Sequence, residues 1–180
     1  MKALIFDTET TGLVKNSLIP LDRQPRMIEF YGQIVDTETC EVIEDYHSLV
    51  NPGFEISEEI TKITGIKPED LQGQPVFPFI DGNIRGIIGK ADAIIAHNLS
   101  YDWSILNFEF ERSGTIDKVK WPIRRICTVE ETEWMCGYRL SLSALYEYLF
   151  NETFAGAHRA KADVEALTKC VLELVRRGDL

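Results

Sequence analysis

Apolar and polar positions divide this chain into strands near its start and helices that alternate with single strands after residue 57. Short apolar or alternating runs bounded by turn residues predict five strands. They are residues 2–7, 27–36, 40–50, 93–96 and 123–128. Apolar residues at helical spacing predict the helices. They are residues 57–65, a short helix from Pro68, and residues 77–88, 101–114, 141–150 and 161–177. This order predicts an α/β fold in which helices cover a mixed sheet.

Turn and capping residues mark the element boundaries. A short polar turn at residues 36–39 joins the second and third strands into a hairpin beside the first strand. Ser57 and Ser141 have the side chains of helix N-caps, and Gly65 is placed to end the helix that Ser57 begins. Residues 14–26, VKNSLIPLDRQPR, predict a surface loop that leaves the end of the first strand.

Composition limits the classes of protein to which the chain can belong. It has 180 residues, of which 44% are hydrophobic, and no internal repeat, so we expect one domain over residues 1–180. A formal net charge of −10 argues against binding nucleic acid by broad electrostatic attraction, but it does not exclude a small local site. The four cysteines form no C-x-x-C pair, so they predict reduced thiols rather than a zinc knuckle or a redox motif.

No segment of the sequence has the features of a membrane or export signal. No apolar run approaches the roughly 20 residues that a membrane-spanning helix needs. The first residues, MKALIFD, reach an acid after four apolar residues, which is too short for a signal peptide. We therefore expect a soluble cytoplasmic protein without a membrane partner.

The first strand ends in two acids, Asp7 and Glu9, within the stretch LIFDTETTGL. Residues two apart on a strand project from the same face, so these two carboxylates should lie close together. Their repulsion can be relieved by a shared proton, a nearby Arg or Lys, or a bound cation. The alternative is a strand end that emerges into water, where acids are common.

Two further stretches place polar side chains where strands end and helices begin. In AHNLSYD, His97 and Asn98 follow a buried strand and Asp102 lies in the first turn of the next helix. In GAHRAKADVEAL, His158 precedes the last helix and Asp163 lies a little over one turn inside it. Each acid alone could simply favour a helix dipole or be exposed on a helix surface.

Together, these residues match the demands of two-metal phosphoryl chemistry. Four acids, Asp7, Glu9, Asp102 and Asp163, offer the hard oxygen ligands that Mg²⁺ or Mn²⁺ prefers. Two such ions about 3.5 to 4 Å apart can stabilise the attacking and leaving oxygens of an in-line displacement. His158 would supply a general base for the attacking water.

The chain resembles the DEDDh branch of the 3′–5′ exonucleases, which includes the proofreading subunit of bacterial DNA polymerase III and ribonuclease T. Three motifs occur in the family's order over residues 4–168: FDTETTGL, AHNLSYDWSIL and HRAKAD. The tyrosine branch of the superfamily has a tyrosine four residues before the last acid. Here that position is Arg159, and His158 is five residues before Asp163, so the histidine branch fits.

The resemblance implies a ribonuclease-H-like fold, with a five-stranded mixed sheet flanked by helices. It implies that Asp7, Glu9, Asp102 and Asp163 bind two ions, Mg²⁺ or Mn²⁺, and that His158 is the general base. It further implies that a set of substrate-binding residues holds the terminal nucleotide. These residues are Thr10, Thr11, Gly12, Leu13, Thr64, His97 and Asn98.

Two departures from the family pattern affect that set. The loop of residues 14–26 is longer than in many members, and it could shape the entrance to the site. Thr64 stands where some members have a histidine that packs against substrate bases, so strand separation could differ. Apart from the resemblance, Thr64 could simply be a residue at a helix end.

The sequence thus predicts a metal-dependent 3′–5′ exonuclease acting on single-stranded DNA ends and releasing nucleoside 5′-monophosphates, in proofreading or repair. A DNA polymerase subunit is a candidate partner, although the chain ends at the last predicted helix, which favours a stand-alone enzyme or one recruited through its surface. One alternative is an exoribonuclease of the ribonuclease T or oligoribonuclease type, because the motifs do not report contacts to the 2′-hydroxyl. The other is a catalytically silent nucleic-acid-binding or clamp-binding module, which is expected to lack one acid or His158.

Overall fold

A computed structural model describes residues 1–180 and contains five strands and eight α-helices. The strands are β1 (Lys2–Thr10), β2 (Met27–Asp36), β3 (Glu41–Leu49), β4 (Ala93–Ala96) and β5 (Arg124–Cys127). The helices are α1 (Glu58–Thr64), α2 (Pro68–Leu71), α3 (Phe77–Ile88), α4 (Leu99–Arg112), α5 (Thr128–Glu131), α6 (Glu133–Cys136), α7 (Leu142–Phe150) and α8 (Ala160–Arg177). Short 3-10 turns cover Leu21–Arg23 and Ile116–Lys118.

The five strands form one mixed sheet in the order β3-β2-β1-β4-β5. The first three strands are antiparallel neighbours, and β4 and β5 continue the sheet parallel to β1. The predicted five-stranded mixed sheet is therefore confirmed. Strand β1 is the central strand of the sheet.

Side chains of β1 alternate between two apolar layers. Leu4 and Phe6 pack in a core formed with α3 and α4, whereas Ala3 and Ile5 pack against α8 on the other face. Helix α7 packs outside α8, where buried Leu145 belongs to a third cluster. The same alternation, continued along β1, places the odd-numbered acids of the strand on the α8 face.

Strand β1 is three residues longer than its apolar pattern predicts. The prediction ended the strand at Asp7, but the ladder with β2 continues through Glu9, which pairs with Glu29, to Thr10. Polar side chains at the end of a central strand weaken the hydrophobic pattern without breaking the backbone ladder. Both acids therefore lie within a strand and have a fixed direction, rather than in a loop.

The region after β5 also differs from the prediction. The expected strand over residues 123–128 is shorter, and two single-turn helices, α5 and α6, follow it directly. Helices of four residues are too short to show an apolar period. By contrast, the hydroxyls of Ser57 and Ser141 cap α1 and α7 as predicted, and Gly65 ends α1 with a φ of 70°.

The loop of residues 14–26 is organised by a buried side chain. Gln24 donates to the carbonyls of Lys15, Asn16 and Ile19, and its Oε1 accepts from the N–H of Lys15 at 3.0 Å. These bonds give the loop a defined path. Elsewhere, all four cysteines are free, and no helix combines the length and hydropathy that a bilayer span requires.

Candidate active site

Three carboxylates converge at the end of β1. Asp7 and Glu9 project from β1 toward α8, and Asp163 projects from the first turns of α8. One oxygen from each of the three lies within 4.8 Å of the others. All three residues are partly exposed, so a ligand from solvent can reach them. The structure thus brings together three of the four acids that the sequence pattern singled out.

The three acids lack a positively charged partner on the protein. None of them forms an ion pair with Lys or Arg. Burial, together with the charges of Asp102, Glu9 and Asp163, raises the pKa of Asp7 well above its usual value. Burial and the charge of Asp163 raise the pKa of Glu9 to about 8. The three carboxyl groups are therefore more stable when they are protonated or bound to a cation than when they are ionised without one.

The fourth acid, Asp102, lies beside this cluster and is held from β1. It is only 2% exposed, and its Oδ1 accepts hydrogen bonds from the N–H of Thr8 at 3.0 Å and from the Thr8 hydroxyl at 2.7 Å. Burial raises the pKa of Asp102 to about 7, although both bonds from Thr8 act in the opposite direction. These bonds attach the start of α4 to the strand that carries Asp7 and Glu9.

The donor set fits a divalent cation. It consists only of carboxylate oxygens, which hard cations such as Mg²⁺ and Mn²⁺ prefer. Of the three ways to relieve the repulsion of Asp7 and Glu9, a nearby basic side chain is not used, because the closest candidate, Arg159, binds Glu29 instead. Protons and a bound cation remain as the two ways to relieve the repulsion.

His158 lies in an exposed segment directly before α8. Its backbone N–H donates to Oδ2 of Asp163 at 2.9 Å, which places residue 158 next to the acids. The residue has a φ of 69°, in the left-handed region that few residues other than glycine adopt. Its imidazole is exposed and has no hydrogen-bond partner in the protein, so both ring nitrogens face solvent or a substrate.

A groove of about 570 Å³ opens beside the acids. It lies between α1 and the chain that follows β1, and it is within the size range of small-ligand sites. Leu13 is 80% exposed and Ile63 is 49% exposed along it. The predicted substrate-binding segment Thr10–Leu13 lines this groove, as does Thr64.

The backbone of that segment is fixed by hydroxyl groups. The Tyr101 hydroxyl donates to the carbonyl of Gly12 at 2.8 Å, and the Thr10 hydroxyl is hydrogen-bonded to the Tyr101 hydroxyl at 2.5 Å. Burial raises the pKa of Tyr101 to about 12, so its hydroxyl remains a donor at physiological pH. Tyr101 was not among the residues predicted for the site. Its position one residue before Asp102, at the start of a helix, was the available signal.

The other predicted substrate-binding residues are engaged within the protein or lie outside the groove. The Thr64 hydroxyl donates to the carbonyl of Ile60 and accepts from the N–H of Ile66, as expected of a residue at a helix end. His97 uses both ring nitrogens, with the Thr128 hydroxyl at 2.9 Å and the Leu140 carbonyl at 3.0 Å. Asn98 is exposed before α4 with a φ of 71°.

A buried acid on the neighbouring strand was also missed. Glu29 lies opposite Glu9 in the β1–β2 register and is fully buried. Burial alone would raise the pKa of Glu29, but hydrogen bonds from Arg159, His47 and the Ala160 N–H outweigh burial and lower it. The signal was an acid inside the otherwise apolar stretch of β2, because a buried charge requires partners.

The sequence model of the family described as "Exonuclease" (RNase T) matches residues 4–171. The chain belongs to the exonuclease family. The family match and the five-stranded mixed sheet indicate a 3′–5′ exonuclease. Among the relatives of this exonuclease is the DNA polymerase III subunit epsilon of Buchnera aphidicola, 29% identical over 95% of this chain and 71% of that protein.

Two further similarities support the assignment. The PolC-type DNA polymerase III of Bacillus subtilis is 28% identical over 96% of this chain, but the chain spans only 11% of that protein. The nuclease domain of 3'hExo, a DEDDh family member solved with bound rAMP, superposes with a TM-score of 0.76 at 16% identity. The match covers 98% of this chain and 92% of that one. The similarity of fold thus covers 98% of this chain.

Proposed function

We propose that this chain acts as a single metal-dependent exonuclease domain that hydrolyses single-stranded DNA from the 3′ end and releases nucleoside 5′-monophosphates. The convergence of Asp7, Glu9 and Asp163 without a protein cation is the observation that carries this proposal. Three carboxylates held this close by a central strand and a long helix are costly unless a cation neutralises them. The adjoining groove gives a chain end a place to lie.

The four acids would hold two ions, Mg²⁺ or Mn²⁺, at the end of β1. When bound, the ions would supply positive charge for the attacking and leaving oxygens of an in-line displacement. Asp102 contributes a carboxylate already oriented by Thr8, and Asp163 one carried by α8. The protein's own part is to keep these oxygens in place before substrate arrives.

His158 would act as the general base. An unpaired ring nitrogen takes a proton from the attacking water, the new bond forms to phosphorus, and the bond from phosphorus to the 3′ oxygen of the preceding nucleotide breaks. The released product is then a nucleoside 5′-monophosphate. The 3′ oxygen of the shortened strand takes a proton from solvent water, and the exposed imidazole passes its own proton to solvent, which returns the base to its starting state.

The groove would bind the terminal nucleotide. Leu13 and Ile63 offer exposed apolar surface for the base or sugar, and the Thr10–Gly12 backbone is fixed beneath them by Tyr101. DNA is the substrate that we favour, because both reported relatives are named as DNA polymerase III proteins. By the same argument, the enzyme would work in the cytoplasm beside a DNA polymerase, in proofreading or repair.

The proposal is tested by a time course on 5′-labelled single-stranded DNA and RNA of matched sequence, with Mg²⁺, Mn²⁺ or EDTA. The expected result is a ladder that shortens by one nucleotide at a time, only with metal, and faster on DNA. Faster cleavage of RNA would make the enzyme an exoribonuclease. No cleavage of either polymer by folded protein would favour a silent binding module and refute the proposal.

A matched pair of variants on α8 controls for folding. Asp163→Asn should lower the rate by about 10³-fold or more, because it removes one charge from the cluster. Glu165→Gln changes an exposed acid two residues away, and the rate should remain that of the wild type. Equal rates for Asp163→Asn and Glu165→Gln would show that the cluster is not the catalytic centre.

A further inference from the structure

Glu29 forms a hydrogen-bonded cluster that holds the chain immediately after His158. Its Oε2 accepts from Arg159 Nε and from the Ala160 N–H, each at 3.2 Å. Its Oε1 accepts from Arg159 Nη2 at 3.0 Å and is paired with His47 Nε2 at 2.8 Å. We call Glu29, His47, Arg159 and Ala160 the Glu29 cluster. Two of its three donor residues directly follow the candidate base.

The segment that carries His158 has few other attachments. Residues 155–159 are exposed and contain no regular secondary structure. The positive φ of His158 costs free energy and persists only where neighbouring contacts impose it. One such contact is the bond from the His158 N–H to Asp163, and the Glu29 cluster supplies the others from the following two residues.

Asp163 depends less on this cluster than His158 does. It lies within α8, whose Val164 and Leu167 are buried against the sheet. Its own N–H donates to the Arg159 carbonyl at 3.0 Å as the helix begins. The packed helix therefore holds Asp163 even if the segment before Ala160 moves, whereas His158 has no packed element of its own.

We propose that Glu29 is a positioning residue that holds His158 in place at the acidic cluster through Arg159 and the start of α8. This inference rests on the proposed function, in which His158 is the general base. Glu29 touches neither substrate nor metal in this proposal. It acts on the base by fixing the backbone on which His158 is mounted.

The test compares Glu29→Gln with a matched variant on the other face of the sheet. Gln keeps the shape of Glu29 but replaces one acceptor oxygen with a donor and removes the charge that binds Arg159. Glu109 is also a buried acid with an arginine partner, Arg112, at 2.7 Å, and it also accepts from a backbone N–H, that of Met27. Glu109→Gln therefore controls for the loss of a buried ion pair as such.

Amide hydrogen exchange in EDTA reports the position of the segment without any activity assay. Glu29→Gln should speed exchange in a peptide covering residues 156–161 by about tenfold or more, with no change in a peptide covering residues 164–174. Glu109→Gln should leave both peptides at the wild-type rate. Equal acceleration of the two peptides in Glu29→Gln would assign Glu29 a general structural role and overturn the proposal.

Steady-state kinetics then show whether the loss of activity in Glu29→Gln is caused by displacement of His158. At saturating Mg²⁺, Glu29→Gln should lower kcat by about tenfold or more, with the KM for oligonucleotide within about threefold of wild type. His158→Ala should lower kcat further, by about 10²-fold to 10⁴-fold. The double variant should be no slower than His158→Ala alone, because a lost base cannot be mispositioned. Losses that multiply would overturn the proposal.

Two outcomes require separate treatment. If Glu29→Gln does not fold, Arg159→Met removes the ion pair with Glu29 by changing the arginine, whose side chain is 44% exposed. The same results are expected for this variant. If the wild-type protein degrades neither DNA nor RNA, the proposed function fails, and the exchange measurement still decides whether Glu29 fixes the segment.

Discussion

Without divalent cations, the free energy of unfolding should fall as the pH rises, and Glu9 should account for much of the decrease. The folded-state pKa of Glu9 is about 8, against an ordinary value of 4.5. Between these values the folded protein keeps a proton that the unfolded chain has released. The stabilising contribution is therefore complete below about pH 4.5 and is lost as the pH rises through about 8.

The pKa shift sets a ceiling on this effect. The difference, 8 minus 4.5, is about 3.5 pH units, and each unit corresponds to 1.36 kcal/mol, so the ceiling is roughly 5 kcal/mol. Glu9 is partly exposed, so water screens its repulsion from Asp163. We therefore expect about 2 to 3 kcal/mol between pH 5 and pH 8.5. Divalent cation should abolish most of this loss, because it favours the ionised carboxylates.

Urea denaturation at several pH values, in EDTA and in Mg²⁺, measures the effect. Wild type should lose about 2 to 3 kcal/mol more than Glu9→Gln across this pH range in EDTA. Glu165→Gln should follow wild type, because its carboxylate is exposed and is not one of the clustered acids. Comparing variants removes the contribution of other titrating groups, including half-buried His97, whose lowered pKa acts in the opposite direction. The same pH dependence in wild type and Glu9→Gln would refute the reasoning.

Three further variants test the groove and its loop. Tyr101→Phe removes the bond to the Gly12 carbonyl and should cost about 0.5 to 1.5 kcal/mol in urea denaturation and raise KM. Leu13→Ala should leave stability within about 0.5 kcal/mol but raise KM by roughly tenfold in steady-state assays, because the exposed side chain is buried only by substrate. Gln24→Ala should cost about 1 to 3 kcal/mol and speed limited proteolysis between residues 14 and 26. Unchanged values in any of these assays would remove the role assigned to that side chain.

Local signals in the sequence were sufficient for most of the fold. The caps at Ser57 and Ser141, the stop at Gly65 and the apolar period of α8 each depend on residues within a few positions of one another. Strand β1 was predicted too short because its end is polar, and α5 and α6 are too short to show a period. The ends of strands that are set by pairing with distant residues could therefore not be predicted from local sequence pattern.

The site shows the same division. The acids could be found because strand alternation and helix position are local properties of the sequence. The partners that orient the site could not, because Tyr101 binds a carbonyl 89 residues away and Arg159 binds a carboxylate 130 residues away. A polar residue in an apolar strand, such as Glu29, shows that a partner must exist but not which residue it is.

Two carboxylates on adjacent strands show how the fold distinguishes an acid that is paired within the protein from one that is not. Glu9 and Glu29 are neighbours across the β1–β2 ladder, and each is on a strand buried in the sheet. Glu29 receives hydrogen bonds from three residues, which lower its pKa, whereas Glu9 has no ion-pair partner and its pKa is raised. Arg159 is close enough to affect both groups but is bonded to only one of them. Because the guanidinium is committed to Glu29, the negative charge at Glu9, Asp7 and Asp163 is left for a cation from solution.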